Sequence, residues 1–192
     1  MENAIQNHVS FETERLFIRQ RTLADTDACL EMDRDPEVTR FISGPWADPT
    51  AHRDFVEKRT LGPWPRGMGY WTILLREGPR TFVGWVLLIP ADAVGPEIEI
   101  GWRLQKRFWG RGFATEAARP ILHHALQVLG LPEVVADIDC DNVGSLKVAE
   151  KIGMRQRDII QHSGKTILRY SAKSAEGPGV ETCGQPNPQF QK

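Results

Sequence analysis

The sequence is short of the features that let charge, disulfides or a membrane organise a protein. Its 192 residues carry 24 Lys and Arg against 25 Asp and Glu, a formal net charge of −1. Nucleic-acid-binding domains usually carry a basic excess, so that class is set aside. Only three cysteines occur, Cys29, Cys140 and Cys183, with no C-x-x-C pair. They exclude a disulfide framework, and reduced thiols in a cytoplasmic protein are the expectation. Long apolar runs are missing: Val86-Leu87-Leu88-Ile89 is far short of a bilayer span, and Met1 to Ser10 has no apolar signal core. There is no G-x-x-x-x-G-K-[ST] sequence and no G-x-G-x-x-G. Their absence excludes the P-loop of nucleotide hydrolases and argues against the dinucleotide fold. His123 and His124 are neighbours without an i, i+4 partner, so no metal site is expected.

What is present reads as one globular domain, with 41% hydrophobic and 26% charged residues. Alternation over Thr13–Thr22 predicts a strand, and Leu23–Asp33 turns helical. Asp35-Pro36 breaks that helix, and a short one follows around Glu37–Ile42. Asp48-Pro49 is an N-cap followed by a first helical residue, predicting a helix to about Thr60. Tyr70–Arg76 and Thr81–Ile89 flank the turn residues Glu77-Gly78-Pro79 and predict a hairpin; Glu97–Leu104 is a third strand. Val134–Ile138, Arg155–Ile160 and Lys165–Tyr170 read as further strands around a helix at Asn142–Ile152. The order implies an α/β (α+β) sheet with helices on its faces. The domain is expected over residues 11–172, after a flexible lead-in at 1–10 and before a disordered Ser, Gly, Pro and Gln-rich tail at 173–192.

The most informative segment is Trp109-Gly110-Arg111-Gly112-Phe113-Ala114-Thr115-Glu116-Ala117. It follows a strand and opens a helix whose apolar face is Ala114, Ala117, Ala118, Ile121, Leu122, Ala125, Leu126 and Leu129. A helix start has unpaired N–H groups and partial positive charge, and glycines let backbone approach a ligand. Together they favour a pyrophosphate, with Arg107 and Arg111 adding charge. An ordinary tight turn would have the same glycine spacing. Pro120 lies inside the periodic helix and predicts a kink or irregular turn there.

This segment resembles the pyrophosphate loop of the GNAT superfamily of N-acetyltransferases, matching at Gly112 and Ala114. Trp109, in place of the usual Gln or Arg, resembles the ribosomal-protein N-acetyltransferase (Rim) branch, with its W-G-x-G-x-A-T-E-A. Three further stretches are similar to that branch: Glu12–Arg19, Glu99-Ile100-Gly101-Trp102, and Asn142-x-x-Ser145 with Glu150-Lys151-Ile152-Gly153-Met154. The resemblance implies a GNAT fold: a mixed, mostly antiparallel twisted sheet of six to seven strands with about four helices. It also implies a splayed strand pair, one ending near Leu104 and the other at Val134–Ile138.

It further implies acetyl-CoA as cosubstrate, direct attack by an amine, and no nucleic-acid or membrane partner, in a monomer or homodimer. Acetyl-CoA would lie on Trp102, Arg103, Leu104, Arg107, Trp109, Gly110, Arg111, Gly112, Phe113, Ala114, Thr115, Asn142 and Ser145. Backbone N–H of Trp102 or Arg103 would polarise the carbonyl. For the base, Glu97 and Glu99 stand on one strand face and alternation does not separate them; Glu99 holds the E-I-G-Y position of the family. Asn142 is a good N-cap and, by resemblance, a pantetheine ligand. Ser145 is either a cap helper or the acid for the leaving thiolate. Trp46 and Trp64 are candidates for shaping the acceptor site. The rival readings are a small-molecule amine acetyltransferase and a non-catalytic acyl-CoA-binding domain. The acidic run Asp25, Asp27, Glu31, Asp33, Asp35 and Glu37 would suit a polycationic acceptor.

Overall fold

In the computed structural model, which describes residues 9–162 and 164–174, one eight-stranded sheet carries helices on both faces. The strands are β1 (Phe11–Glu12), β2 (Leu16–Gln20), β3 (Gly69–Leu75), β4 (Phe82–Pro90), β5 (Ile98–Leu104), β6 (Glu133–Asp139), β7 (Arg155–His162) and β8 (Lys165–Lys173). The helices are α1 (Thr26–Asp33), α2 (Pro36–Thr39), α3 (Pro49–Leu61), α4 (Phe113–His123) and α5 (Val143–Lys151). The spatial order is β1-β2-β3-β4-β5-β6-β8-β7, antiparallel throughout except for β5 beside β6. The counts exceed the expected six to seven strands and four helices by short pieces, the two-residue β1 and the one-turn α2.

Strand alternation divides the core in two. Leu16, Ile18, Trp71, Ile73, Val86, Leu88 and Ile100 face α4 and α5, where Ala117, Ala118, Ile121 and Ala149 let the helices approach closely. Tyr70, Trp85, Leu87 and Ile89 face the other way and meet Cys29, Met32, Val38 and Val56 from α1 to α3. The predicted caps form: Asp48 accepts from the N–H groups of Thr50 and Ala51, and Asn142 accepts from that of Ser145. Glu116, in the first turn of α4, ties the helix to the β1–β2 turn by accepting from Thr13 Oγ1 at 2.6 Å and the Arg15 N–H at 2.9 Å.

Three expectations need correction. The helix runs unbroken through Pro120; the irregularity falls later, as a π-helical segment at His124–Val128, where the Leu129 N–H reaches the His124 carbonyl. The domain does not stop at residue 172, because Lys173 pairs with Glu133 and the Ser174 N–H donates to the Pro132 carbonyl. The strand expected at Thr13–Thr22 is shorter, β2 at Leu16–Gln20; a turn in which the Thr13 N–H donates to the Leu16 carbonyl separates it from β1, which precedes the predicted segment. The lead-in up to residue 8 and the tail from residue 175 lie outside the described residues. Among the described residues, no helix is long and apolar enough to cross a membrane.

Arg103 on β5 is buried and joined to Asp33 on α1 at 2.7 Å, while His52 on α3 meets the other Asp33 oxygen at 3.2 Å. Removing one partner from a buried pair leaves an uncompensated charge. Arg103→Met should therefore lower the unfolding free energy by about 3–5 kcal/mol in urea denaturation. Arg53→Ala, which loses exposed bridges to Asp27 and Glu57, should leave the unfolding midpoint nearly unchanged in the same assay.

Candidate active site

β5 and β6 start as neighbours and then part. Their parallel ladder has one registered pair, Glu99 with Val135. On its other side β5 stays paired with β4 along its whole length, from Ile98 opposite Pro90 to Leu104 opposite Gly84. An opening therefore forms beyond Glu99, with one intact wall and one departing wall. It belongs to a cleft of about 340 Å³ lined on this side by Ile100, Gly101, Trp102, Ala136, Ile138 and Asn142. Gly101 keeps the floor low; a Cβ there would meet Leu87 Cγ at 3.2 Å.

Backbone direction in β5 follows from its pairing. The Gln105 N–H donates to the Val83 carbonyl, so odd-numbered residues of β5 spend their backbone groups on β4. Even-numbered residues present theirs to the opening. Past the single pair with β6, Trp102 is the next residue whose N–H faces that way, and Leu104 follows. The Leu104 carbonyl already accepts from Trp109 Nε1 at 2.8 Å. Arg103 is directed elsewhere, contrary to its expected place on the donor. Its backbone faces β4, and its guanidinium lies on Asp33 and over the rings of Trp46 and Trp85.

Beyond the end of β5, joined to it by Trp109, α4 begins at a glycine. Gly112 has φ of 80° and ψ of 0°, a left-handed conformation that side chains disfavour, and it supplies no side-chain cap. No side-chain acceptor therefore covers the first-turn N–H groups of Phe113, Ala114 and Thr115. Gly110 also has positive φ, and nothing lies within 4 Å of the place its Cβ would take. Cations surround this exposed turn. Arg107 stacks on Phe108, and Arg111 lies 5.0 Å from the Phe113 ring centroid. Arg15, which the sequence did not single out, lies over the same ring at 4.4 Å and donates to the Arg111 carbonyl, but its charge is taken up by Glu116 at 2.6 Å. These groups suit the pyrophosphate of a nucleotide-like donor.

The two candidate carboxylates separate clearly. Glu97 precedes β5 and is bound by Arg157 at 2.9 Å and Arg169 at 2.5 Å, a clasp to β7 and β8. Glu99 lies inside the cleft, opposite Ile89 on β4 and Val135 on β6. It forms no ion pair among the described residues. Burial, then the Asp137 and Asp92 carboxylates, push its carboxyl up to about 7, with Arg59 and Arg169 opposing. Asn142 Oδ1 caps α5 on the Ser145 N–H at 3.1 Å, and both residues line the cleft.

Other expectations resolve as structure. His123 is exposed, whereas His124 is buried with Nε2 2.9 Å from the Gly67 carbonyl. Trp46 and Trp64 do not line the cleft; they back residues that do, Trp46 against Phe55 and Trp64 against Tyr70. Tyr170 packs in the α4-side core and donates to Glu150, away from the cleft. Arg21, Arg59 and Tyr70 do line the cleft and were missed. Their shared site joins β2, β3 and α3, and no local motif marks it. Cys29 and Cys140 are free thiols, and Cys183 lies outside the described residues.

Folding raises the Glu99 pKa, so this group favours the fold at low pH and loses that contribution as pH rises through about 7. Glu99→Gln should accordingly be more stable than the parent at pH 8, by roughly 1–3 kcal/mol in chemical denaturation. The gain should vanish below about pH 4.5, where the parent carboxyl is neutral in both states.

Comparison with known proteins agrees with this architecture. Residues 15–155 match the acetyltransferase (GNAT) domain family. The uncharacterized protein YkkB of Bacillus subtilis is 32% identical over 163 residues, covering 82% of this chain and 92% of its own. The FsC-acetyl coenzyme A-N(2)-transacetylase of Aspergillus fumigatus is 31% identical over 137 residues, covering 65% of this chain and 56% of its own. A GNAT-family acetyltransferase from Bacillus anthracis superposes with a TM-score of 0.72 at 25% identity, over 86% of this chain and 98% of its own. The splayed strands, the glycine-opened helix and these matches together make the chain a member of the GNAT acetyltransferase family and an acyltransferase.

Proposed function

We propose that this protein transfers an acetyl group from acetyl-CoA to a primary amine, with Glu99 as the base. The observation that carries the reading is a single carboxyl, raised to about 7, at the point where β5 and β6 part. A base poised near neutrality serves proton transfer from an ammonium at physiological pH. A non-catalytic acyl-CoA-binding domain has no need of such a group.

Acetyl-CoA supplies the thioester carbonyl that the amine attacks. The chain supplies everything around it. The N–H groups of Phe113, Ala114 and Thr115, beside Gly110 and Gly112, receive the pyrophosphate, with Arg107 and Arg111 adding charge. The Trp109 side chain, bonded to the Leu104 carbonyl, joins this turn to the end of β5. The exposed backbone edge at Trp102 and Leu104 pairs with the pantetheine arm, and Asn142 closes the opposite side. Glu99 takes the proton of the ammonium, directly or through water. The freed amine forms the new N–C bond as the C–S bond breaks. The Trp102 N–H faces the developing oxyanion, and the Ser145 hydroxyl gives its proton to the thiolate and takes one from the amine nitrogen as the amide forms.

The W-G-R-G-F-A-T-E-A segment resembles the Rim branch, and that resemblance supports a protein N-terminal α-amine as one candidate acceptor. A small amine is the second candidate. A polycationic acceptor loses its support. Asp25 is taken by Arg19 and Asp33 by Arg103, and Asp27 is bridged to Arg53, so the acidic run is no open anionic surface. A cytoplasmic location and a monomer or homodimer, without nucleic-acid or membrane partners, complete the reading.

Calorimetric titration with acetyl-CoA should show saturable binding by the parent and at least tenfold weaker binding by Gly112→Glu, which puts a carboxylate into the turn. Equal affinity would remove the donor from this loop. In turnover assays, kcat/KM should rise with pH through a limb near 7. Glu99→Gln should abolish that limb and slow the reaction by about 10²–10⁴-fold while leaving acetyl-CoA affinity within a fewfold. An unchanged pH profile in the variant would take Glu99 out of the mechanism.

A further inference from the structure

Two guanidinium groups in the cleft form no ion pair among the described residues. Arg21, just past β2, is 7% exposed and lines the cleft, yet its Nε meets no partner. Its contacts are poor ones for a charge: the Val56 carbonyl at 3.4 Å and the Cys29 thiol. Arg59, in the last turn of α3, is half-buried and lines the same cleft. Tyr70 holds the two together. The Arg21 Cζ lies 3.9 Å from the centre of its ring, and Arg59 Nη1 donates to its hydroxyl at 2.9 Å. Neither arginine forms an ion pair among the described residues.

The other cations near the site are paired with carboxylates, although the Arg103 Nε, like that of Arg21, meets no partner. Arg103 has Asp33, Arg169 has Asp137 and Glu97, and Arg19 has both oxygens of Asp25. A buried cation without a counter-ion is costly, and burial lowers the Arg21 pKa accordingly. A planar guanidinium answers that cost best by taking a carboxylate through paired N–H groups.

Building on the assignment of Glu99 to the amine, we propose that the acceptor amine bears a carboxylate, received by Arg21 and Arg59 beside Tyr70. The acceptor then lies with its ammonium at Glu99 and its carboxylate at the arginines, between the apolar walls of Trp85, Leu87 and Phe55. Arg59 is near enough to act on the Glu99 carboxyl, so the two ends belong to one small molecule or to one terminal residue. The arrangement disfavours polyamines, whose second cation would meet two guanidinium groups.

The test compares acids with their amides. Glycine, L-leucine, L-phenylalanine and γ-aminobutyrate, each beside its amide, and spermidine are offered with acetyl-CoA while CoA release is followed. At least one acid should exceed its amide at least tenfold in kcat/KM. Arg59→Gln, at a half-buried position that the fold tolerates better than the buried Arg21, should shrink that ratio at least tenfold, mainly through KM. Peptides with amidated C-termini and N-terminal Asp or Glu distinguish a side-chain carboxylate from a free amino acid's own. Amides or spermidine used as well as the acids, or a ratio unmoved in Arg59→Gln, would overturn the proposal while leaving acetyl transfer intact. If no amine releases CoA, the catalytic reading fails, and binding decides the acceptor site. The N-acetyl acids should then bind at least tenfold tighter than their N-acetyl amides in calorimetry. Equal affinity, or no binding of either, would overturn it.

Discussion

One missing ladder governs this molecule. After the single pair of Glu99 with Val135, β5 and β6 no longer share hydrogen bonds. A sheet normally spends its backbone donors and acceptors on neighbouring strands, and an unspent edge beside a cleft has to be met by water or a ligand. The rest of the fold holds that edge open. β4 keeps β5 straight through seven registered pairs. β8 holds β6 through another seven, which draws β6 into the other half of the sheet. Trp109 fastens the end of β5 to the turn before α4, so the open edge and the uncapped helix start stand as one surface.

Electrostatics then grades the cleft along its length. At the α4 end, exposed arginines surround backbone donors and suit a doubly charged phosphate group. At the narrow end of the opening, Glu99 is half-buried and crowded by Asp137, whose own charge is taken up by Arg169. Beyond it, Arg21 and Arg59 carry charge that the protein does not neutralise. The buried group of Asp33, Arg103 and His52 lies behind this series and fixes α1 and α3 against β5. Charge is thus compensated where it supports the fold and left uncompensated where a ligand is expected.

Much of this was legible in the sequence because the signals are local. Asp48-Pro49 and Asn142 announce helix starts through groups one turn away, and the aromatic and β-branched runs around Glu77-Gly78-Pro79 announce the hairpin of β3 and β4. The glycine turn at Gly110 and Gly112 is legible for the same reason. Glu97 and Glu99 were not separable, because a two-residue period puts both on one face. What divides them is Arg157 and Arg169, sixty and more residues along the chain. Arg103 read as a donor-site residue until its pairing with β4 and Asp33 fixed its direction. The displacement of the irregular turn from Pro120 to His124–Val128 depends on how α4 packs on the sheet. Arg21 and Arg59 carry no motif at all; only the fold brings them to Tyr70.

The central claim is that the parting of β5 and β6 and the start of α4 form one donor site. Hydrogen–deuterium exchange with and without saturating acetyl-CoA tests it most directly, because it reads backbone amides one segment at a time. Protection should appear at Ile100–Leu104 and at Gly112–Thr115 together, while the paired amides of β7 and β8 stay unchanged. Protection confined to other segments, or none at either place despite saturation, would contradict the account.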